Sequence, residues 1–168
     1  MDANLKESSE SIIGIIPNTT RKKGLFSNQC INVIITDKRI ILAHLTSEVI
    51  KEEAERVSKA SKEKGKNIFS RMAQYAFCGQ SAYKKYFNMA PDEILAENKE
   101  NFEINPENII HAKIDSNKIY KNNIETAINV LKIKHTSGNL ELNFDDNKSI
   151  SAREARAIFS HAFSNKIE

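Results

Sequence analysis

The chain has 168 residues, 40% of them hydrophobic, and its 25 lysines and arginines against 22 aspartates and glutamates give a formal net charge of +3. This length and composition predict one soluble folded domain, and so small an excess of positive charge does not by itself indicate nucleic-acid binding. No apolar stretch approaches the ~18 residues of a membrane-spanning helix, and the polar start MDANLKESSE is unlike a secretory signal, so we expect a cytoplasmic protein.

The first predicted strand is short and precedes a basic loop. Ser11–Ile16 reads SIIGII, an apolar run that stops at Pro17, whose nitrogen cannot donate to a strand ladder. We therefore expect the stretch that follows, Asn18–Asn28, to be a loop. The cations of this loop are neighbours in the sequence: Arg21, Lys22 and Lys23.

The stretch VIITDKRIILA, Val33–Ala43, predicts a β-hairpin. Its arms, Cys30–Ile35 and Arg39–Leu45, are rich in Ile, Val and Leu. The polar residues between the arms include Asp37, a residue type whose side chain bonds the backbone of tight turns. Because the apolar runs are nearly continuous, we expect part of each strand to be covered on both faces.

Residues 48–100 have a helical pattern, because apolar side chains recur at steps of three and four. We expect a break at Gly65 and a short helix over Gln80–Asn88 after Gly79. A further helix is predicted to start at Ala90–Glu93, where a proline and two acids occupy the first turn.

Strand patterns return after residue 100. Phe102–Ile104 and Ile109–Ile114 are predicted strands, and a loop rich in Asn and Lys is expected over Asp115–Asn123. The last predicted hairpin joins Ala127–His135 to the strictly alternating Leu140–Phe144 through a turn that contains glycine.

The chain ends in a predicted amphipathic helix. Ser151 and Glu154 have the spacing of a capping box, in which the two side chains bond each other's free backbone amides. One apolar stripe follows, which consists of Ala155, Ile158, Phe159, Ala162 and Phe163. We expect this stripe to dock on the strands, and removal of the helix to unfold the domain.

Three segments resemble bacterial pleckstrin-homology-like and related GRAM-type domains. VIITDKRIILA resembles their Thr-Asp/Asn-x-Arg hairpin between the second and third strands, NFEINPENIIHAKI (Asn101–Ile114) resembles the strand pair that follows, and LKIKHTSGNLELNF resembles their last hairpin. The resemblance covers residues 11–45 and 101–165. It implies an α+β fold, a small antiparallel β-barrel of about seven strands with a C-terminal capping helix.

The helical stretch between strands three and four departs from the simple pattern of these domains, so we interpret it as an insertion. The expected organisation is a single domain over residues 1–168. Its barrel is formed by residues 11–47 and 101–165, and its helical insertion by residues 48–100.

The basic loop is the first candidate binding site. In eukaryotic pleckstrin-homology domains the loop between the first two strands grips inositol phosphates, so the resemblance implies that Arg21, Lys22 and Lys23 bind an anionic lipid or phosphate headgroup. A solvated loop is the alternative. Arg39 lies at the other end of the hairpin, where we expect it to pair with a carboxylate of a neighbouring strand.

The insertion holds the second candidate site, in which aromatic residues and methionine are interleaved with lysine and arginine. Such a pattern suits a membrane interface or single-stranded nucleic acid, but it also occurs where helices pack on a barrel or on another subunit. We expect packing or a subunit contact. The candidate contact residues are Phe69, Met72, Tyr75, Phe77, Tyr83, Tyr86 and Phe87.

We expect no catalytic residues, metal or cofactor. The four histidines are scattered, the two cysteines lie far apart, and neither a G-x-S-x-G motif nor a glycine-rich phosphate loop occurs. The predicted function is therefore a non-enzymatic interaction module that binds a protein or itself. Peripheral binding to an anionic membrane surface is the alternative, and nucleic acid is not an expected partner.

Overall fold

The structure is a computed structural model that describes residues 10–23, 27–61, 81–121, 124–146 and 148–166. In these residues the fold is α+β: seven strands form one antiparallel sheet, and a C-terminal helix packs on one of its faces. The helices found between the third and fourth strands agree with the predicted helical pattern. No helix in the described residues is long and apolar enough to cross a membrane.

The strands are β1 (Ile12–Lys23), β2 (Ser27–Thr36), β3 (Ile40–His44), β4 (Phe102–Ile104), β5 (Ile109–Lys121), β6 (Ile124–His135) and β7 (Gly138–Asp145). The helices are α1 (Ser47–Ser61), a 3-10 helix (Ala82–Asn88), α2 (Pro91–Ala96) and α3 (Ala152–Phe163), and a short 3-10 turn (Pro106–Asn108) precedes β5. Across the sheet the strand order is β4-β3-β2-β1-β7-β6-β5.

The sheet is not closed between β4 and β5, which form its two edges in the described residues. Part of the β5 edge is taken up by the end of the chain. The N–H of Ala112 donates to the carbonyl of Lys166 at 2.8 Å, and Arg156 Nη2 donates to the carbonyl of Ile114 at 2.6 Å. Because these bonds use backbone groups that a closing strand would need, the complete hydrogen-bonded barrel expected from the sequence is not observed.

The inner face of the sheet forms the larger core, and α3 covers it as the apolar stripe predicted. Ala155, Phe159 and Phe163 are buried, and the rings of the two phenylalanines meet edge to face with centroids 6.3 Å apart. The predicted capping box is present, since Ser151 Oγ accepts from the N–H of Glu154 and Glu154 Oε2 accepts from the N–H of Ser151.

The outer face of the β1–β3 part of the sheet forms a second core beneath the helices that precede β4. This cluster consists of Ile15, Ile34, Ile41, Ala43, Tyr86 and Ile94. The prediction that β2 and β3 are covered on both faces is therefore confirmed. The predicted helix start at residue 90 is also confirmed, because α2 begins at Pro91 and Glu93 Oε2 accepts from the N–H of Ala90.

The β2–β3 hairpin forms as predicted, with Ile35 paired to Ile40. Its turn is held by Thr36 Oγ1, which accepts from the N–H of Lys38 at 3.1 Å and from that of Arg39 at 2.8 Å. Asp37 Oδ1 accepts from the N–H of Ser11 at 2.9 Å, so the turn also fixes the start of the first strand.

Two predicted loops are wrong. Asn18–Asn28 is mostly strand, because β1 continues past Pro17 through an irregularity in which Asn18 has φ 54° and its N–H donates to Asn32 Oδ1. Asp115–Asn123 is mostly strand as well, since β5 pairs with β6 as far as Lys121 and Ile124. The predicted break at Gly65 lies outside the described residues.

Candidate functional site

The first candidate site is a groove between β1 and β7. In the described residues these strands pair at one position only, Thr20 with Asn143, where Thr20 Oγ1 also donates to the carbonyl of Asn143 at 3.4 Å. A groove with a volume of about 620 Å³ opens beside this pair. It is lined by Thr20, Arg21, Lys22, Asn28, Ile128, Asn139, Glu141 and Asn143.

The basic residues predicted to lie in a loop are the last residues of β1. Arg21 and Lys22 line the groove, whereas Lys23 lies 3.9 Å from a carboxylate oxygen of Glu100. Successive side chains of a strand point to opposite faces. Lys22 is therefore on the face of Thr20, and Arg21 is on the face of the buried Thr19, so the cations do not form one patch on a single face.

His44 lies at the end of β3, close to two of these cations. It pairs with Ile31, which also pairs with Thr19, so His44 is on the inner face. Its side chain is only 5% exposed, and Nδ1 has no hydrogen-bond partner in the structure. Burial lowers the pKa of His44; the Glu100 carboxylate opposes this shift, while the charges of Arg21 and Lys23 add to it. Protonation of the imidazole is therefore less favourable than in an ordinary histidine.

Sequence reasoning placed His44 in a strand but missed this environment. The signal lies in the pairing of β2 with both of its neighbours: Ile31 pairs with His44 of β3 and with Thr19 of β1, so His44 lies near the end of β1. The sequence did not predict the pairing of Thr19, because the first predicted strand ended before Pro17.

A smaller groove of about 290 Å³ adjoins the first, on the outer face of β5, β6 and β7. The two grooves share Asn139 and Glu141. Its other lining residues are His111, Lys132, Ile133, Lys134 and Leu140. Basic side chains therefore continue from the β1–β7 groove across the open face of β6.

The aromatic candidates that lie in the described residues occupy three different environments. Tyr86 is fully buried, Tyr83 is half-buried, and Phe87 is 56% exposed. Tyr86 therefore belongs to the outer core and is not part of an exposed contact face. The other candidates lie outside the described residues: Phe69, Met72, Tyr75 and Phe77.

Tyr86 anchors the 3-10 helix through polar as well as apolar contacts. Its hydroxyl donates to Glu97 Oε2 at 2.8 Å, and the other carboxylate oxygen of Glu97 is paired with Lys85. Burial, together with the Glu97 charge, raises the pKa of Tyr86 far above its ordinary value. The phenol is therefore neutral at physiological pH and acts as a structural donor.

Arg39 has the structural role that the sequence predicted. Its guanidinium bonds Glu103 on β4, the strand next to β3, and it also bonds Asp92 of α2. Both oxygens of Glu10 accept from it, at 3.0 Å from Nε and at 2.8 Å from Nη2. Arg39 thus connects the first described residue, the hairpin turn, α2 and β4. The hydrogen bonds to these carboxylates, chiefly to that of Glu10, raise the pKa of Arg39.

The described residues contain no group of three or more His, Cys, Asp or Glu side chains that could hold a metal ion. Cys30 is half-buried, and burial raises the pKa of its thiol, which disfavours the thiolate needed for nucleophilic chemistry. The surface of the described residues has two grooves lined mainly by polar side chains, and one exposed aromatic residue on a helical support.

Comparison of the chain with protein-family models, with curated proteins and with solved structures finds no match.

Proposed function

We propose that the chain is a non-enzymatic interaction module with a pleckstrin-homology-like fold, which binds another protein or a second copy of itself. Seven antiparallel strands with a C-terminal helix on the inner face support this fold, because they agree with the strand count and the terminal helix that the resemblance implies. The helices between β3 and β4 are then an insertion, and they display the candidate contact surface.

The observation that carries the proposal is the exposure of Phe87 on a fixed support. Aromatic side chains, Phe among them, are enriched at protein contact surfaces relative to the rest of the protein surface. The ring of Phe87 lies edge to face with that of Tyr83, at a centroid distance of 6.4 Å. Tyr86, which lies between them in the sequence, is buried and bonded to Glu97, so a side chain of the outer core holds the Phe87–Tyr83 pair in place. Little order then has to be gained on binding.

Light scattering of the purified chain over a range of concentrations tests self-association. We expect a defined oligomer for the wild type and a shift towards the monomer for Phe87→Ser. The matched control is Lys84→Ser, which changes an exposed residue of the same 3-10 helix without removing an aromatic ring. If the wild type is monomeric, the same three chains are compared in affinity capture from native cells. A partner retained equally by Phe87→Ser and Lys84→Ser contradicts the proposed surface.

A second candidate function is peripheral binding to an anionic membrane surface, and the position of Arg21 and Lys22 in one groove favours it. Each basic residue near such a surface contributes about 1 kcal/mol, and the attraction weakens as salt is added. Sedimentation with phosphatidylserine vesicles should therefore decline steeply with ionic strength and should be lost in the triple variant R21E/K22E/K23E. The triple variant K51E/K84E/K99E has the same net charge and changes exposed lysines elsewhere. Equal losses in both variants would exclude a local site.

A further inference from the structure

The two strands that border the larger groove have backbone edges with no strand partner on the groove side. Beyond the Thr20–Asn143 pair, Arg21 and Lys22 pair only with β2, and residues 139–142 pair only with β6, within the described residues. Successive residues of an antiparallel strand direct their N–H and C=O groups alternately to one side and the other. Some backbone donors and acceptors of both strands therefore face the groove.

We propose that this groove binds an extended, acidic segment of another polypeptide, which lies along β7 as an added strand. An unpaired strand edge is a template for such addition, because backbone hydrogen bonds supply affinity and side-chain contacts supply specificity. Residues 139–142 offer about 13 Å of edge at a rise of ~3.3 Å per residue, enough for about four residues of an extended peptide. The groove volume of about 620 Å³ is in the range of sites that enclose ligands.

The side chains of the groove define the chemistry of the segment. Asn28, Asn139 and Asn143 carry amides that both donate and accept, which suits a peptide backbone. Among the described lining residues Arg21 and Lys22 are the cations and Glu141 is the carboxylate, so these residues together carry one positive charge.

The adjoining groove adds further positive charge along the path of the segment. It contributes Lys132 and Lys134, which lie beyond the shared Asn139 and Glu141. Lys132 is already bonded to Asp115 at 3.1 Å, so Lys134 is the more available of the two lysines. The outer face beside the added strand thus carries more basic than acidic side chains among the described lining residues of the two grooves, and acidic residues in the segment complement this face.

Other classes of partner use less of this geometry. The lining residues that the structure describes include no aromatic ring on which nucleic-acid bases would stack. An anionic lipid surface would use Arg21 and Lys22 but neither the amides nor the backbone edge of β7. A peptide uses all three kinds of group.

Fluorescence anisotropy with a labelled peptide of alternating Glu and Val, eight residues long, tests the proposal on the full chain. Its alternation places the acids on one side of the added strand, so that they can meet Lys22 on the face that it shares with Thr20. We expect saturable binding, a matching peptide of Lys and Val to bind about tenfold more weakly or worse, and a Glu-Val peptide with N-methylated backbone amides to lose binding.

Charge variants assign the binding to the groove. R21E/K22E should weaken binding of the Glu-Val peptide by about tenfold or more, whereas Glu141→Lys should strengthen it by about threefold, because it removes the carboxylate that opposes the ligand. K51E/K84E is the matched control and should bind like the wild type. A higher affinity of the Glu141→Lys variant for the peptide cannot result from misfolding. The Phe87→Ser variant should bind the peptide like the wild type, since the proposed contact surface around Phe87 is separate from the groove.

Three results would overturn the proposal. The first is the absence of saturable binding of the Glu-Val peptide to the wild type. The second is equal affinity for the N-methylated peptide, which would show attraction by charge without an added strand. The third is a wild type that binds anionic vesicles but not the peptide, together with an R21E/K22E variant that has lost vesicle binding. This result would assign the two cations to a membrane surface.

Discussion

The outer faces of the two halves of the sheet differ in composition and in cover. On β1, β2 and β3 the outward side chains include Ile15, Ile34, Ile41 and Ala43, all of them buried. On β5, β6 and β7 the outward side chains include Lys113, Asp115, Lys132, Lys134 and Glu141, which are exposed or half-buried. The first outer face is covered by the helices that precede β4, whereas the second bears the smaller groove and borders the larger one.

This difference shows which outer face needs helices packed on it for stability. Each buried Ile of the first outer face would forfeit about 1.5–3 kcal/mol if it were exposed, so the helices between β3 and β4 are required for stability. The second outer face satisfies its charges locally, since Lys113 and Lys132 both contact Asp115, at 2.9 Å and 3.1 Å, and hold its pKa below the ordinary value. This face is therefore stable without a cover of helices.

The largest expected effect concerns the inner face, which both halves share. A chain that ends at Ser149 lacks α3 and with it three large apolar side chains, Ile158, Phe159 and Phe163, at a loss of several kcal/mol. Because total stabilities are about 5–15 kcal/mol, we expect the shortened chain to have no cooperative thermal transition. A chain that ends at Lys166 retains the bond to Ala112 and is the control. A cooperative melt of the shortened chain would mean that the two halves do not depend on α3.

The next effect compares the two outer faces directly. Ile34→Glu introduces a carboxylate into a fully buried position of β2 with no partner and should cost about 4 kcal/mol or more. Lys134→Glu introduces the same carboxylate at an exposed position of β6 and should change the free energy of unfolding by no more than about 0.5 kcal/mol. Urea unfolding monitored by circular dichroism measures both. Similar losses in the two variants would contradict the distinction between a covered face and an open one.

Local sequence signals predicted the parts of the fold that local hydrogen bonds determine. The turn at Thr36 and the start of α3 at Ser151 each depend on a side chain that bonds backbone within three residues, so a short motif suffices to identify them. The near-continuous apolar runs of β2 and β3 likewise predicted that parts of both strands are covered on both faces. Successive side chains of a strand point to opposite faces, so a continuous apolar run places apolar residues on each face.

Long-range pairing decided the elements that the sequence analysis missed. Asp115–Lys121 is rich in residues that favour loops, yet its backbone pairs residue by residue with β6. Pro17 ended the predicted first strand, but the irregularity after Ile16 accommodates it and lets β1 carry Arg21 and Lys22 to the groove. The periodicity of the insertion likewise could not show that Tyr86 faces the core while Phe87 faces solvent. Of the described residues that line the larger groove, the sequence thus predicted only Arg21 and Lys22 as site residues, and it did not predict the groove itself.

A moderate effect is expected where α3 approaches β1. A Cβ at Gly14 would lie 2.8–2.9 Å from three side-chain atoms of Ile158, and the φ of Gly14 lies outside the left-handed region, so the obstacle is steric only. Gly14→Ala should therefore cost about 1–3 kcal/mol, as overpacked cores do. In the double variant with Ile158→Ala the two losses should not add, because the collision is removed. Additive losses in urea unfolding would show that the contact is not the cause.

The smallest expected effect tests the polar anchor of the covered outer face. Tyr86→Phe keeps the ring but removes the hydroxyl that donates to Glu97, and the loss of one such bond costs about 1 kcal/mol near neutral pH. The folded state raises the pKa of Tyr86 above the ordinary value of about 10. At alkaline pH the unfolded chain therefore loses this proton first, and the wild type loses stability as the pH rises above about 10. The Phe variant lacks this ionisation, so the difference between the two proteins in urea unfolding should shrink or reverse between pH 8 and pH 11. A difference that stays constant over this range would mean that the Tyr86 hydroxyl is not held as a neutral, buried donor.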